Sequence, residues 1–147
     1  MNDKEFMKIA IEEAQLAALK NEIPIGAVLV DENGFIIAKA HNLVMTLNDP
    51  TAHAEILVIR ESSKNFGLRL TNSTVYVTME PCPMCAGALV LARIRRLVYA
   101  LPSPYGAAGS LFNVTDNLFL NHQIEVVAGC LEDEAKSILK KFFISKR

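Results

Sequence analysis

The sequence carries almost no excess charge, with 15 Lys and Arg against 16 Asp and Glu for a formal net charge of −1. A bulk basic field for nucleic acid is thereby excluded, and any such binding must come from local clusters. Cysteine is scarce and odd in number, at Cys82, Cys85 and Cys130. That argues against a disulfide framework and for a reducing compartment. Met1–Lys20 interleaves charged and apolar residues, unlike a secretory leader. The longest apolar runs, Ile23–Val30 and Ala86–Ala92, are far too short to cross a bilayer. Internal repeats, low-complexity tracts and linkers are missing as well. Apolar residues are plentiful, at 51% of 147 positions. A chain of this size buries roughly 68–70% of its unfolded surface and folds without staples. These features predict one soluble, cytoplasmic domain over 1–147, with no membrane contact and an apolar surplus suited to self-association.

Helical spacing marks Asp3–Lys20, with Phe6, Ile9, Ala10, Glu13, Leu16 and Ala17 as the inward stripe and Asn2 or Asp3 as cap. Ile25–Asp31 and Phe35–Ala40 flank Asp31-Glu32-Asn33-Gly34, which is hairpin chemistry. Thr51–Lys64 reads as a helix capped by Thr51. Thr74–Met79 is rich in β-branched and aromatic residues and reads as a strand. Pro83 suits the first turn of a helix reaching Ala92. Arg96–Ala100 and Ile124–Ala128 read as strands. Glu132–Phe143 reads as a helix with acids at its start, matching the macrodipole. Helices alternating with later strands predict an α/β sandwich on a mixed sheet.

Pro81-Cys82-Pro83-Met84-Cys85 follows the strongest strand and opens a helix. Helix N-terminal amides stabilise thiolates, the metal-binding form of cysteine. Two thiolates do not fill a zinc site, and the third candidate is His53 at the start of the preceding helix. One His and two Cys leave a tetrahedral position for water, the open arrangement of a catalytic zinc. Glu55 follows two residues later. On a regular helix that spacing turns it about 200° away, but a first turn is looser, and a carboxylate beside activated water moves protons. Alone, Cys-x-x-Cys also fits a redox dithiol, a structural zinc completed by Cys130 or His122, or coincidence. His-x-Glu followed 26 residues later by Pro-Cys-x-x-Cys is the more specific pattern.

On these residues the chain resembles the cytidine-deaminase superfamily and, within it, the bacterial tRNA-specific adenosine deaminases. The resemblance runs through Glu22–Val28, His41-Asn42, Asp49–Glu55, Tyr76–Cys82, Met84–Ala88, Arg93-Ile94, Gly106–Leu111, Asn121-His122 and the terminal Phe142-Phe143 with its basic neighbours. It implies a three-layer α/β/α sandwich with a mixed five-stranded sheet and a homodimer. It also implies one Zn2+ per subunit on His53, Cys82 and Cys85, with Glu55 shuttling protons. The reaction implied is attack of zinc-activated water on C6 of the wobble adenosine of a tRNA anticodon, an arginine tRNA for instance, giving ammonia and inosine. Asn42 would bond the flipped base, the Ala54 amide would lie near the reacting atoms, and Val28 and Asn121 would complete the substrate site; a turn residue after a strand is the ordinary alternative for Asn42, and core packing is the equal alternative for Val28. Tyr105, Phe142, Phe143, Lys146 and Arg147 would touch the anticodon stem-loop. A terminal helix that simply buries Phe142 and Phe143 is the ordinary alternative. A free nucleobase deaminase and a non-catalytic zinc-stabilised binding module are the competing functions. The chain departs from the tRNA family in Ala100-Leu101-Pro102-Ser103-Pro104-Tyr105, which lacks the family's acid and lysine, and at Gln123. There Tyr105 offers a stacking surface instead.

Overall fold

A computed structural model describes residues 1–146; Arg147, expected at the RNA, lies outside the described residues. Among the described residues the elements run α1 (Asp3–Leu19), β1 (Gly26–Val30), β2 (Ile36–His41), α2 (Ala54–Phe66), β3 (Thr74–Met79), α3 (Pro83–Leu91), β4 (Arg96–Leu101), β5 (Glu125–Ala128) and α4 (Glu132–Ser145). The sheet order is β2-β1-β3-β4-β5. β1 is antiparallel to β2 and β3, while β3, β4 and β5 run parallel, so the sheet is mixed as predicted.

Every residue of β1 is buried, which means that both faces of the sheet are covered. Ala27 and Leu29 pack with Val58 of α2 and Leu89 and Val90 of α3. Val28 and Val30 pack with Phe6, Met7, Ala10 and Ile11 of α1 and Ala135 of α4. The strand's period of two thus divides one run between two cores, and the architecture is the α/β/α sandwich.

Local chemistry explains the ends of the elements. Asn2 accepts from Glu5 N at 2.9 Å and caps α1. Asp31 accepts from Asn33 N and Phe35 N, both at 2.9 Å, and Gly34 takes φ 85°, closing the hairpin. Of the predicted stripe on α1, Phe6, Ala10, Glu13 and Ala17 are buried; Met7, Ile11 and Ala14 widen it on one side, whereas Leu16 is 44% exposed. α2 begins three residues later than predicted. Thr51 is no cap; its amide and hydroxyl both donate to Asp49 Oδ1, at 2.9 and 2.7 Å, which holds 49–51 as a turn.

Register places the functional end. Gly26 pairs with His41, Ala27 with Val77, and Met79 with Leu101. The start of β1 and the ends of β2, β3 and β4 therefore share one sheet edge. Gly26 sits against α1 so closely that a Cβ would collide with Ala10 O and lie 2.6 Å from Ala14 N. Because these obstacles are backbone, Gly26→Ala is expected to lower stability by about 1–3 kcal/mol, read as a lower urea midpoint with unchanged slope.

Candidate active site

His53 immediately precedes α2 and Cys82 immediately precedes α3. Both backbones are extended, at φ −71°, ψ 154° and φ −70°, ψ 172°, and neither side chain caps its helix. Each is therefore free to turn toward the other across the sheet edge. This also removes the 200° objection to His53 and Glu55 sharing a site, because His53 is not helical. Cys85, in the first turn of α3, is fully buried.

His53 Nδ1 lies 3.6 Å from Cys82 Sγ and 3.4 Å from Cys85 Sγ. All three ligating atoms fall within 4.8 Å of one another, and among the described residues no fourth His, Cys, Asp or Glu joins them. Zn–S and Zn–N bonds of about 2.3 and 2.0–2.1 Å at tetrahedral angles set an S···N edge of about 3.6 Å. The donor set fits zinc in both chemistry and size, with His53 Nδ1 as the ligating nitrogen. The four-ligand structural site fails. His122 Nε2 is bonded to Ile94 O at 2.7 Å, and Cys130 packs beneath α1 and α4 on the other face.

The cluster is electrostatically prepared for a cation. The Cys85 thiol and the His53 imidazole beside Cys82 lower the Cys82 thiol to about 4. Cys85 is pushed far up by the neighbouring Cys82 sulfur and by burial. Its hydrogen bond to Cys82 raises His53 above the usual imidazole range. Glu55 is 4% exposed, and burial lifts its carboxyl from 4.5 to about 7.

A cavity of about 580 Å³ opens on this cluster, with His53, Ala54, Glu55 and Asn42 in its wall. Asn42 Nδ2 donates to Ile23 O at 3.3 Å and its Oδ1 accepts from Val44 N at 3.2 Å. Both bonds orient the amide and leave it one donor and one acceptor site for a ligand. Ala54 opens α2, so its N–H has no intrahelical acceptor. Phe142 and Lys146 also line the cavity. Lys146 Nζ donates to Asn21 Oδ1 at 2.8 Å and stands 5.3 Å above the Phe142 ring. Phe143 is 49% exposed and meets Phe142 edge to face at 5.3 Å. The terminal helix thus does not bury both rings.

Two expected substrate residues are not brought to the site. Val28 lies on the opposite face of β1, under α1. Asn121 accepts from Arg93 at 3.2 Å. Arg93 follows α3 at the edge where β4 begins, away from the metal ligands. Tyr105 is 73% exposed on the loop after β4, at the functional edge but outside the cavity wall.

Two carboxylates had no role in the sequence reading. Glu22 is fully buried, lines the cavity and accepts from Met45 N at 3.0 Å and Thr46 N at 2.6 Å, holding the loop after β2. Glu80 is 3% exposed and immediately follows β3, directly before Pro81-Cys82. For Glu80 the signal was available: it is an acid between a strand of mostly apolar residues and Pro81, where a buried carboxylate must find donors.

The model of the cytidine and deoxycytidylate deaminase zinc-binding region matches residues 1–101. The tRNA-specific adenosine deaminase of Bacillus subtilis (strain 168) is 52% identical over 143 residues, 96% of this chain and 88% of that protein. The chain belongs to the zinc-binding deaminases, among the tRNA-specific adenosine deaminases. A solved structure from studies of A-to-I editing by tRNA:A34 deaminases at the wobble position superposes on this member of the family with a TM-score of 0.87. It is 44% identical, covering 92% of this chain and 99% of that one. A Bacillus subtilis guanine deaminase is more distant, at 36% identity and TM-score 0.68 over 85% of this chain and 83% of that one. In this zinc-binding deaminase His53, Cys82 and Cys85 are positioned to bind one metal ion. No helix among its described residues is long and apolar enough to cross a membrane.

Proposed function

We propose that this chain hydrolyses the wobble adenosine of a tRNA anticodon to inosine, acting as one domain over 1–147, as a homodimer, in the cytoplasm. The observation that carries the chemistry is a buried carboxyl, Glu55, beside a three-ligand cluster at the floor of a cavity large enough for a purine. Zinc bound there supplies a Lewis acid that makes water nucleophilic near neutral pH. Glu55 takes the proton of the attacking water and returns protons to the base, so that the C6–N bond breaks, ammonia leaves and a C6 carbonyl remains. In the metal-free protein burial lifts the Glu55 carboxyl to about 7; beside a bound cation it would ionise and so be ready to accept the proton of water. Asn42 holds the polar edge of the base through its free donor and acceptor, and Ala54, at the start of α2, lines the same cavity.

The substrate assignment draws on the close tRNA deaminase relatives and on the rim. Phe142 and Lys146 at the cavity combine a stacking surface with a cation, and Phe143 extends that surface. The dimer reading draws on α3, whose outward residues Pro83, Met84, Gly87, Ala88 and Leu91 are apolar and at least partly exposed.

Zinc-loaded protein incubated with an arginine tRNA transcript bearing a wobble adenosine is expected to yield inosine at that position alone, read by sequencing. No conversion, together with ammonia release from free adenine, guanine or cytosine, would replace the reading with a nucleobase deaminase. Sizing with light scattering at micromolar concentration is expected to give twice the 16.2 kDa chain mass.

A further inference from the structure

Glu80 is built into the protein as the hub of a loop. Its Oε1 accepts from Ser103 N at 3.1 Å and from the Ser110 hydroxyl. Its Oε2 accepts from Ala108 N at 3.1 Å and Ser110 N at 3.0 Å. All four partners are donors, so a carboxylate is the only side chain that satisfies them; glutamine would set an NH2 against N–H groups. Gly106 lies flat on this carboxylate, and a Cβ there would collide with it. That glycine needs no unusual dihedral, since it is absent from the positive-φ residues; it is there for close approach. The loop is joined to the metal-ligand segment as well, because Ala107 N donates to Pro81 O at 2.8 Å.

What this framework presents is Tyr105. Pro102 and Pro104 restrict the backbone before it, and Tyr105 N donates to Ser103 Oγ at 3.2 Å. A 73% exposed aromatic ring is thereby carried on a backbone tied by hydrogen bonds to Ser103 and, through the loop, to Glu80. An exposed ring on a braced backbone, at the edge where both ligand-bearing helices start, suits a base-stacking platform.

Resting on the proposed tRNA reaction, we propose that Glu80 is a positioning residue: its carboxylate holds the Ser103–Ser110 loop so that Tyr105 stacks on a nucleotide flanking the one that enters the cavity. Glu80 touches no reacting atom in this scheme, and its contribution belongs to substrate binding.

The test is steady-state kinetics of zinc-loaded full-length protein on the tRNA transcript. Glu80→Gln is expected to raise KM on the order of tenfold, the loss of one base–aromatic stack. It should leave kcat within about threefold and zinc at one ion per chain. Tyr105→Ala is expected to raise KM similarly, and Tyr105→Phe to restore it. The double variant should be no worse than either single one, since both remove the same contact. Unchanged KM in Tyr105→Ala, additive effects, or a Glu80→Gln that loses zinc and kcat with KM unaltered would each overturn the proposal. If Glu80→Gln does not fold, Ser110→Ala removes one donor, the hydroxyl, from a retained carboxylate. Its KM is expected to rise roughly threefold, and a wild-type value there overturns the idea. Failure of the wild type to make inosine in tRNA would instead overturn the reaction assignment, so the two failures are distinct.

Discussion

Glu55→Gln is expected to lower kcat on a wobble-adenosine tRNA by roughly 10²–10⁴-fold, the ordinary range for removing a general acid–base group. Zinc should stay at one ion per chain, because the ligating atoms belong to His53, Cys82 and Cys85. The amide keeps the shape of the carboxyl and loses its proton traffic. Stability should move the other way. Burial raises the Glu55 carboxyl from 4.5 to about 7, so the metal-free folded state binds a proton there that the unfolded chain has released. Stability from this group is complete below about 4.5 and falls as pH rises toward 7. Glutamine has no such dependence. Metal-free Glu55→Gln should therefore melt a few °C above metal-free wild type at pH 8, with the difference vanishing near pH 4. Calorimetry alongside inosine kinetics checks both halves; tRNA activity within tenfold of wild type would remove Glu55 from the reaction.

The parts of the fold legible in the sequence were those where local preference and tertiary packing agree. Thr74–Met79 is β-branched and aromatic, and it occupies the centre of the sheet, where such residues pack best. The hairpin rested on Asp31 and Gly34, and both perform the expected turn chemistry. The α2 boundary was not legible, because Thr51 finds its partner in Asp49 rather than in the helix. The metal ligands were legible because their spacing is chemically demanding. Whether His53 and Glu55 can share a site depends on the extended dihedrals at His53, which no composition signals. Val28 shows the limit of resemblance: one strand sends alternate side chains to opposite cores, and position in a motif does not say which face is inward. Asn121 is held instead by Arg93, which follows α3 at the edge where β4 begins. Arg96, by contrast, makes bonds of 2.8 and 2.7 Å to Asp3, so its charge is paired within the protein.

Removing the metal is expected to abolish deamination and to lower Tm on the order of 10 °C if free zinc stands about a thousandfold above its dissociation constant. The pH dependence of that binding is the sharper expectation. Without the ion, Cys82 is held as a thiolate by the Cys85 thiol and His53, and so has no proton to release at neutral pH. Cys85 is different. The adjacent Cys82 sulfur and burial keep it protonated, and its proton must leave when zinc binds. One released proton makes affinity rise about tenfold per pH unit. On the acid side a second proton enters, since His53 is raised above the usual imidazole range by Cys82 and must also shed its proton. Zinc affinity by chelator competition should therefore climb from pH 6 to pH 8, more steeply at the lower end. Glu55 adds a third proton as its buried carboxyl ionises beside the bound cation, and repeating the titration in Glu55→Gln isolates that share. An affinity that does not change between pH 6 and pH 8 would mean that all three ligands are already deprotonated in the empty cluster, contrary to the electrostatics of two sulfurs and an imidazole packed within 4.8 Å.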